Sequence, residues 1–547
     1  MATLMDSVAQ SGPRLRPAIG SISLSFAVAL FVLATANQSF WAKTSIYFSG
    51  TVGARAALAL GLAALFSVIC ISLSMRFLTK PLFIFLVLTS AVASWFMDRF
   101  GVLLDVEMIR NAAETTRAEA SNLITPAFAW HIFALGLLPS MLILWVRVDH
   151  RPFFAKARRN TAFVVPLLLI AAVAASMQMR LLITTSREHR DWLASLNPVA
   201  PIVNVIRYAA SNGNEKDIVV KTLGADAHVV SDAGRKPRVL VVVAGETARA
   251  DNFSLGGYPR PTNPELTARD ITYFSQTTSC GTATAVSLPC MFSVYGRDDF
   301  SHRKGLETEN LLDVLSHAGL AAAWWDNNTG SKGVADRVAY RYFPNEPDPR
   351  FCTDGECQDG ILLDRLVPWL DGVNKDTVLV IHQLGSHGPS YFERYPEAYR
   401  RFKPDCRTPE IANCTDEELI NAYDNTIAYT DHVLSTIIDE LKRREDRLDG
   451  SMIYMSDHGE SLGESGLYLH GAPYLIAPKQ QTHVPFVLWL GARAGTSMDK
   501  ACLQQRANEP ASHDNLFHTV LGLMSVATTV YDPALDVLSS CRPARSS

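Results

Sequence analysis

The chain is predicted to fold as a multi-span α-helical membrane domain followed by an α/β sandwich catalytic domain, on three observations. Apolar runs near the length of a membrane-crossing helix crowd the first third of the 547 residues. Beyond them, β-branched runs alternate with helical stretches, the pattern of a mainly parallel sheet between helix layers. Three of those runs end in Asp, Glu or His, at the edge where an open α/β sheet binds its ligands.

Hydrophobic residues make up 48% of the chain and mean hydropathy is +0.09, high for a soluble enzyme. The apolar runs lie near 21–35, 56–75, 81–96, 126–146 and 162–177. The first is read as a retained anchor and not a cleaved signal, because further spans follow and no small-residue cleavage site stands out. Arg14 and Arg16 precede the first run. Arg76 and Lys80 lie between the second and third, and Arg147, Arg151, Lys156, Arg158 and Arg159 between the fourth and fifth. Basic loops stay in the cytoplasm, which places the C-terminal two-thirds on the other side. The expected division is a five-span domain over 1–180, a bridging segment over 181–237 lying partly on the membrane surface, and an exported catalytic domain over 238–547. A net charge of −4 offers no polyanion-binding surface, so nucleic acid is not an expected partner.

Between the third and fourth spans, Asn111, Thr115 and Glu119 recur every four residues. On one helix they share a face, either a solvated one or one that holds an ammonium head group.

Eight of the nine cysteines fall in the exported part, and Cys70 falls in a span. Cys280 with Cys290, Cys352 with Cys357 and Cys406 with Cys414 are close pairs that suit disulfides in an oxidising compartment. Pairing of Cys502 with Cys541 stays open. Zinc held by cysteine is the competing reading, weakened because no Cys-x-x-Cys occurs.

The exported domain opens with the run 239–243, and strands are expected again at 321–325, 377–381, 451–455 and 484–490. Helices are expected at 310–317, 362–370, 417–440 and 514–524. The first run leads into Glu246, the third into His382 and His387, and the fourth into Asp457-His458-Gly459-Glu460, with His470 following. Carboxylate oxygens and imidazole nitrogens are the ligand set of catalytic zinc. Glu246, Asp457 and His458 would give one metal its protein ligands, and Thr284 oxygen the fourth. His387 and His470 would hold a second metal or orient a transferred group. Thr284 sits in the cysteine-bracketed stretch Cys280–Cys290, where a turn enters a helix. Unpaired N–H groups and the positive dipole end there would stabilise an alkoxide or a phosphoryl oxygen. It is the candidate nucleophile, against the plainer reading of an N-cap. Lys332, just past another strand end, is a candidate phosphate contact or a surface lysine. No Gly-rich loop ending in Gly-Lys-Ser/Thr is present, which argues against nucleotide-driven transport.

Gly245-Glu246-Thr247, the stretch from Cys280 to Ser293, Asp326-Asn327-Asn328 with Lys332-Gly333, Ser386-His387-Gly388-Pro389, Ser456-Asp457-His458-Gly459-Glu460 and Leu469-His470-Gly471 together resemble the lipid A phosphoethanolamine transferases, a family that includes the mobile colistin-resistance enzymes. The resemblance covers nearly the whole chain. It implies a catalytic domain similar to alkaline phosphatases and sulfatases, and zinc held by Glu246, Thr284, Asp457 and His458, one ion tightly and a second as an option. It implies transfer of phosphoethanolamine from phosphatidylethanolamine through Thr284 to a phosphate of lipid A, lowering negative surface charge and polymyxin binding. His387, His470, Lys332, Thr329 and Glu460 would contact the phosphoethanolamine or a second zinc, and Asn111, Thr115 and Glu119 the donor head group. A monomer in the bacterial inner membrane, with its catalytic domain in the periplasm, is the expected setting. The rivals are a polyglycerolphosphate-type or glucan-modifying phosphotransferase and a membrane-anchored scaffold with a dead site.

Overall fold

The structure, a computed structural model, describes residues 16–542 except 213–217, 231–234, 347 and 354. Arg14 and parts of the 181–237 bridging segment lie outside the described residues. The chain divides into two compact units, one of residues up to 104 with 126–203, the other of 105–125 with 204 onward.

Among the described residues of the first unit, Val52–Leu73, Thr79–Phe100, Pro126–Trp145 and Phe153–Met177 are long and apolar enough to cross a membrane. The first apolar run departs from expectation. Ser21–Thr35 is a helix of 15 residues, about 22 Å at ~1.5 Å per residue, short of a hydrocarbon core of roughly 30 Å. It bends by 65° into Gln38–Tyr47, so the span count is four, or five if that bent pair forms one crossing. Asn37 makes the break. Its Nδ2 donates to the carbonyls of Val32 and Asn197, and its Oδ1 accepts from the Asn197 N–H. Leu24, Val28, Phe66, Phe83, Val87 and Ile143 pack as one cluster. In Pro126–Trp145 the stretch Phe133–Leu137 widens to a π-turn just before Pro139, which has no N–H to give to a regular helix.

The second unit is built on eight strands: β1 (Arg238–Gly245), β2 (Ile271–Thr278), β3 (Ala321–Asp326), β4 (Ala339–Tyr342), β5 (Thr377–His382), β6 (Asp449–Ser456), β7 (His483–Leu490) and β8 (Ala511–Ser512). Their spatial order is β8-β2-β7-β6-β1-β5-β3-β4. From β6 to β4 all pairs are parallel, and β7 alone runs antiparallel to its neighbours. The five expected strands are present. The three unforeseen ones carry weak signals: β2 mixes Thr, Ser and Gln with its apolar residues, β4 is a half-exposed edge and β8 is two residues long.

β1, β5 and β6 are buried on both faces, as a covered parallel sheet requires. Leu240, Val242, Val380 and Ile453 join Leu311, Leu315, Phe517 and Leu521 in one core. Alternate residues Val241, Val243, Ile381 and Tyr454 are equally buried on the other face. The helix Asp416–Lys442 packs against β6 and starts in a capping box between Thr415 and Glu418.

Disulfides join Cys280–Cys290, Cys352–Cys357, Cys406–Cys414 and also Cys502–Cys541, and Cys70 is free and buried. Alkylation of the denatured, unreduced protein should therefore add a single label, at Cys70, in peptide mass mapping.

Burial pushes the Asp431 carboxyl up to about 7, although it accepts the Glu265 and Leu266 N–H groups. The unfolded chain releases that proton near pH 3.9. Stability should fall as pH rises from about 4 to about 7, because the folded state binds the extra proton. Asp431→Asn should flatten that part of the unfolding midpoint against pH.

Candidate active site

Parallel register brings the candidate residues to one edge. Ala244 of β1 pairs with His382 of β5 and Met455 of β6, and His382 pairs with Asp326 of β3. Glu246 and Asp457 each follow within two residues of their paired positions. Glu246, Asp457 and His458 offer ligand atoms that all lie within 4.8 Å of one another.

Thr284 opens the helix Thr284–Met291, and Ala283 is the N-cap. The hydroxyl therefore does not cap the helix. Thr284 Oγ1 lies 3.2 Å from Glu246 Oε2 and 3.3 Å from His458 Nε2. His458 Nδ1 lies 2.9 Å from the Gly459 carbonyl, which assigns the proton to Nδ1 and leaves the Nε2 lone pair facing the cluster. Asp457 Oδ1 accepts the N–H groups of Thr247 and His458, while Oδ2 is buried with no hydrogen-bond partner.

Three residues that the sequence named without giving them a role hold Glu246. Asn328 Nδ2 donates to its Oε2 at 2.7 Å, the Thr247 hydroxyl donates to Oε1, and His382 Nε2 stands 3.8 Å from Oε2. His382 is fixed in turn by Asp326 Oδ2 at 3.0 Å, which also accepts Trp324 Nε1. The available signal was position: Asp326 and His382 end β3 and β5. Gly385 lets this loop close, since its φ is +54° and a Cβ there would strike Glu246.

Burial is the largest influence on both carboxyls. It would raise Glu246, but the His382, His458 and His387 imidazoles outweigh it and hold that carboxyl well below the usual range. Burial and then the Glu246 charge push Asp457 well above it. Burial lowers the His382 imidazole, yet Asp326 and Glu246 bring it up to about 10. A buried carboxylate oxygen without a donor, beside a second carboxylate and an imidazole lone pair, fits a divalent cation. Two carboxylates, an imidazole nitrogen and a hydroxyl make an N/O donor set of the zinc type.

His387 and His470 face each other with ring centroids 5.8 Å apart. Glu460 orients His470 through Nδ1 at 2.9 Å and accepts the Tyr391 hydroxyl. Thr329 is half-buried, and its carbonyl accepts Lys332 Nζ. Lys332 is not a surface lysine, because Nζ also pairs with Glu114 Oε2 at 3.2 Å.

The face expected of Asn111, Thr115 and Glu119 is corrected. The helix Val106–Glu114 ends at Thr115, whose backbone is extended, and a separate helix, Arg117–Leu123, follows. The Thr115 hydroxyl donates to the Asn111 carbonyl and Thr116 O accepts the Ala120 N–H, which satisfies the two helix ends locally. Asn111 and Thr115 stay adjacent. Glu119 belongs to the second helix, and its side chain lies outside the described residues. The first helix packs on the His470 turn, where a Cβ at Gly471 would collide with Met108.

Comparison with known proteins agrees with this arrangement. The sulfatase family model matches residues 238–526, and the model for phosphoethanolamine transferase EptA/EptB matches 62–212. Phosphoethanolamine transferase EptA of Salmonella typhimurium is 40% identical over 465 residues, covering 83% of this chain and 84% of that protein. Phosphatidylethanolamine transferase Mcr-1 of Escherichia coli is 37% identical over 531 residues, covering 93% and 96%. The integral membrane lipooligosaccharide phosphoethanolamine transferase A of Neisseria meningitidis superposes with a TM-score of 0.93 at 36% identity, covering 96% of this chain and 100% of that one. With its apolar helices, its sulfatase-like sheet and these relatives along most of its length, the chain belongs to the phosphoethanolamine transferase family.

Proposed function

We propose that this protein transfers phosphoethanolamine from phosphatidylethanolamine to a phosphate of lipid A through a covalent ester on Thr284. The observation that carries the reading is the Thr284 hydroxyl, 3.2 Å from Glu246 and 3.3 Å from His458 at the first residue of a helix. The curated relatives support the substrates. One from Salmonella typhimurium, 26% identical, is named as a Kdo(2)-lipid A phosphoethanolamine 7''-transferase, and Mcr-1 as a phosphatidylethanolamine transferase.

In the first step Thr284 Oγ1 attacks the donor phosphorus, and the bond from phosphorus to the diacylglycerol oxygen breaks. Glu246 Oε2 takes the hydroxyl proton in this reading and passes it to the departing diacylglycerol oxygen, so that the base is restored. In the second step an oxygen of the lipid A phosphate attacks the phosphothreonine phosphorus, the bond from phosphorus to Thr284 Oγ1 breaks, and the threonine oxygen takes up the proton released by the acceptor phosphate. Glu246, Asp457, His458 and Thr284 would hold one zinc ion, which when bound supplies a Lewis acid that favours the alkoxide and offsets phosphoryl charge. His387 and His470, with Glu460 behind His470, hold the phosphoethanolamine or a second zinc. Lys332 and Thr329 face the same group, and Asn111, Thr115 and Glu119 serve the donor head group. Both lipids lie in one plane with the enzyme, which raises their effective concentration.

The spans over 1–180 anchor the protein in the inner membrane, 181–237 bridges, and 238–547 forms the periplasmic catalytic domain of a monomer. Disulfides in this part suit an oxidising compartment. The added ethanolammonium lowers the negative charge of lipid A and so its binding of polymyxin.

Thr284→Ala in the full-length protein should abolish the phosphoethanolamine adduct in intact mass and reduce lipid A modification by about 10³-fold or more, while zinc is largely retained through the three remaining ligand residues Glu246, Asp457 and His458. Retained modification would overturn the covalent role. Glu246→Ala and His458→Ala should lower bound zinc in metal analysis of the purified protein, and unchanged zinc would remove them as ligands.

A further inference from the structure

The loop that carries Thr284 and the strand end that carries Asp457 and His458 come from strands that are not neighbours. β2 leads into the loop, β6 leads into the ligands, and β7 lies between them. At this edge β7 parts from β6. Their pairing ends at Met455 with Phe486, although β6 continues alongside β1 to Ser456. The next residue of β7 is Pro485, at a shift of register, and a proline has no N–H to offer the Ser456 carbonyl.

His513 fills that place. It follows β8, donates its own N–H to the Thr278 carbonyl at the end of β2, and is 1% exposed. Its Nδ1 accepts the Cys280 N–H at 3.0 Å, which leaves the ring proton to Nε2, 2.9 Å from the Ser456 carbonyl. One neutral imidazole thus meets a backbone donor of the nucleophile loop and a backbone acceptor one residue before Asp457. Ser287 ties the same two segments from the helix side: its hydroxyl accepts the Gly281 N–H at 3.0 Å and donates to the Asp457 carbonyl. The bonds from Ser279 to Thr482 and from Thr282 to Gly471 and Ala472 run to other loops and not to β6.

We propose that His513 is a positioning residue for the transfer, fixing the distance of the Thr284 loop from Asp457 and His458 through Cys280 and Ser456. Its hydrogen bonds go to backbone, so it acts through these two segments and not on the reacting atoms. Reacting groups displaced by about 1 Å lose on the order of 10²-fold in rate, which is the penalty this link avoids. The assignment rests on the transfer reaction proposed above.

The test compares the full-length parental protein in lipid nanodiscs with His513→Asn and His513→Gln. Deleting the ring outright would orphan a buried donor and a buried acceptor together and endanger the fold. The shorter amide can keep the bond to Cys280 and the longer one the bond to Ser456, so each variant breaks the link while satisfying one partner. In both, kcat per zinc-loaded molecule should fall by about 10- to 100-fold, and KM for phosphatidylethanolamine and for lipid A should stay within about twofold. Bound zinc should remain at the parental level. Backbone hydrogen exchange over 279–283 should quicken, while that of the helix Asp416–Lys442 stays unchanged. An unchanged kcat per loaded molecule in both variants, with only the unfolding midpoint lowered, makes His513 a purely structural residue and overturns the proposal. A KM that rises while kcat holds would give it a part in lipid binding and overturns it too, as does unaltered exchange over 279–283. Should the parental chain transfer without forming any Thr284 adduct, the covalent reading fails, and the kcat and exchange comparisons still decide the role of His513.

Discussion

Two fully buried carboxyl groups, Glu246 and Asp457, are held within 4.8 Å of each other at the edge of the sheet. Like charges at that separation, away from water, repel strongly, so one or both must be compensated. The surrounding fold meets this demand unequally. Glu246 is met by Asn328, Thr247 and His382, whereas Asp457 has two backbone N–H donors on one oxygen and no hydrogen bond on the other, which stands 3.4 Å from His458 Nε2. The uncompensated oxygen faces the same space as the His458 lone pair and the Thr284 hydroxyl, and a cation there would neutralise the pair while activating the hydroxyl.

The parallel sheet makes that concentration of charge possible. Four adjacent parallel strands, β6, β1, β5 and β3, end in one row, so that loops from distant parts of the chain deliver their polar side chains together. Behind the first row stands a second. Trp324 donates to Asp326, Asp326 fixes His382, and His382 stands against Glu246. The chain of contacts leaves little freedom to the carboxylate that meets Thr284. Cross-links between loops add to this, since Thr282 and Gly471 bind each other's neighbourhood through Gly471 N–H to Thr282 O and the Thr282 hydroxyl to Ala472 O.

Much of this was legible in the residues. The β-branched runs marked the central strands because burial on both faces leaves no polar alternation to confuse them, and Glu246, Asp457 and His458 stood out because each directly follows such a run. What was hidden depended on partners far along the chain. β2 carries polar residues among apolar ones and is stabilised by pairing with β7 and β8. Asn328, Asp326 and His382 gain their roles only through register. A regular spacing of four suggested one helix through Asn111, Thr115 and Glu119, but the Thr115 hydroxyl offered the Asn111 carbonyl a local partner and the helix divides there. The first apolar run ends early for a similar reason, an asparagine whose amide binds backbone from residue 197.

The segment 105–125 lies between two spans in sequence yet belongs to the unit of the sheet. The chain therefore passes from one unit to the other three times, at residues 104, 125 and 203. A unit joined by a single linker can be cut free whole. This one cannot: severing the chain at the third passage removes Glu114 from Lys332 and Met108 from the glycine beside His470. A fragment of the C-terminal part would thus keep Glu246, Asp457 and His458 together but present a lysine and a histidine turn stripped of the wall that the 105–125 segment supplies.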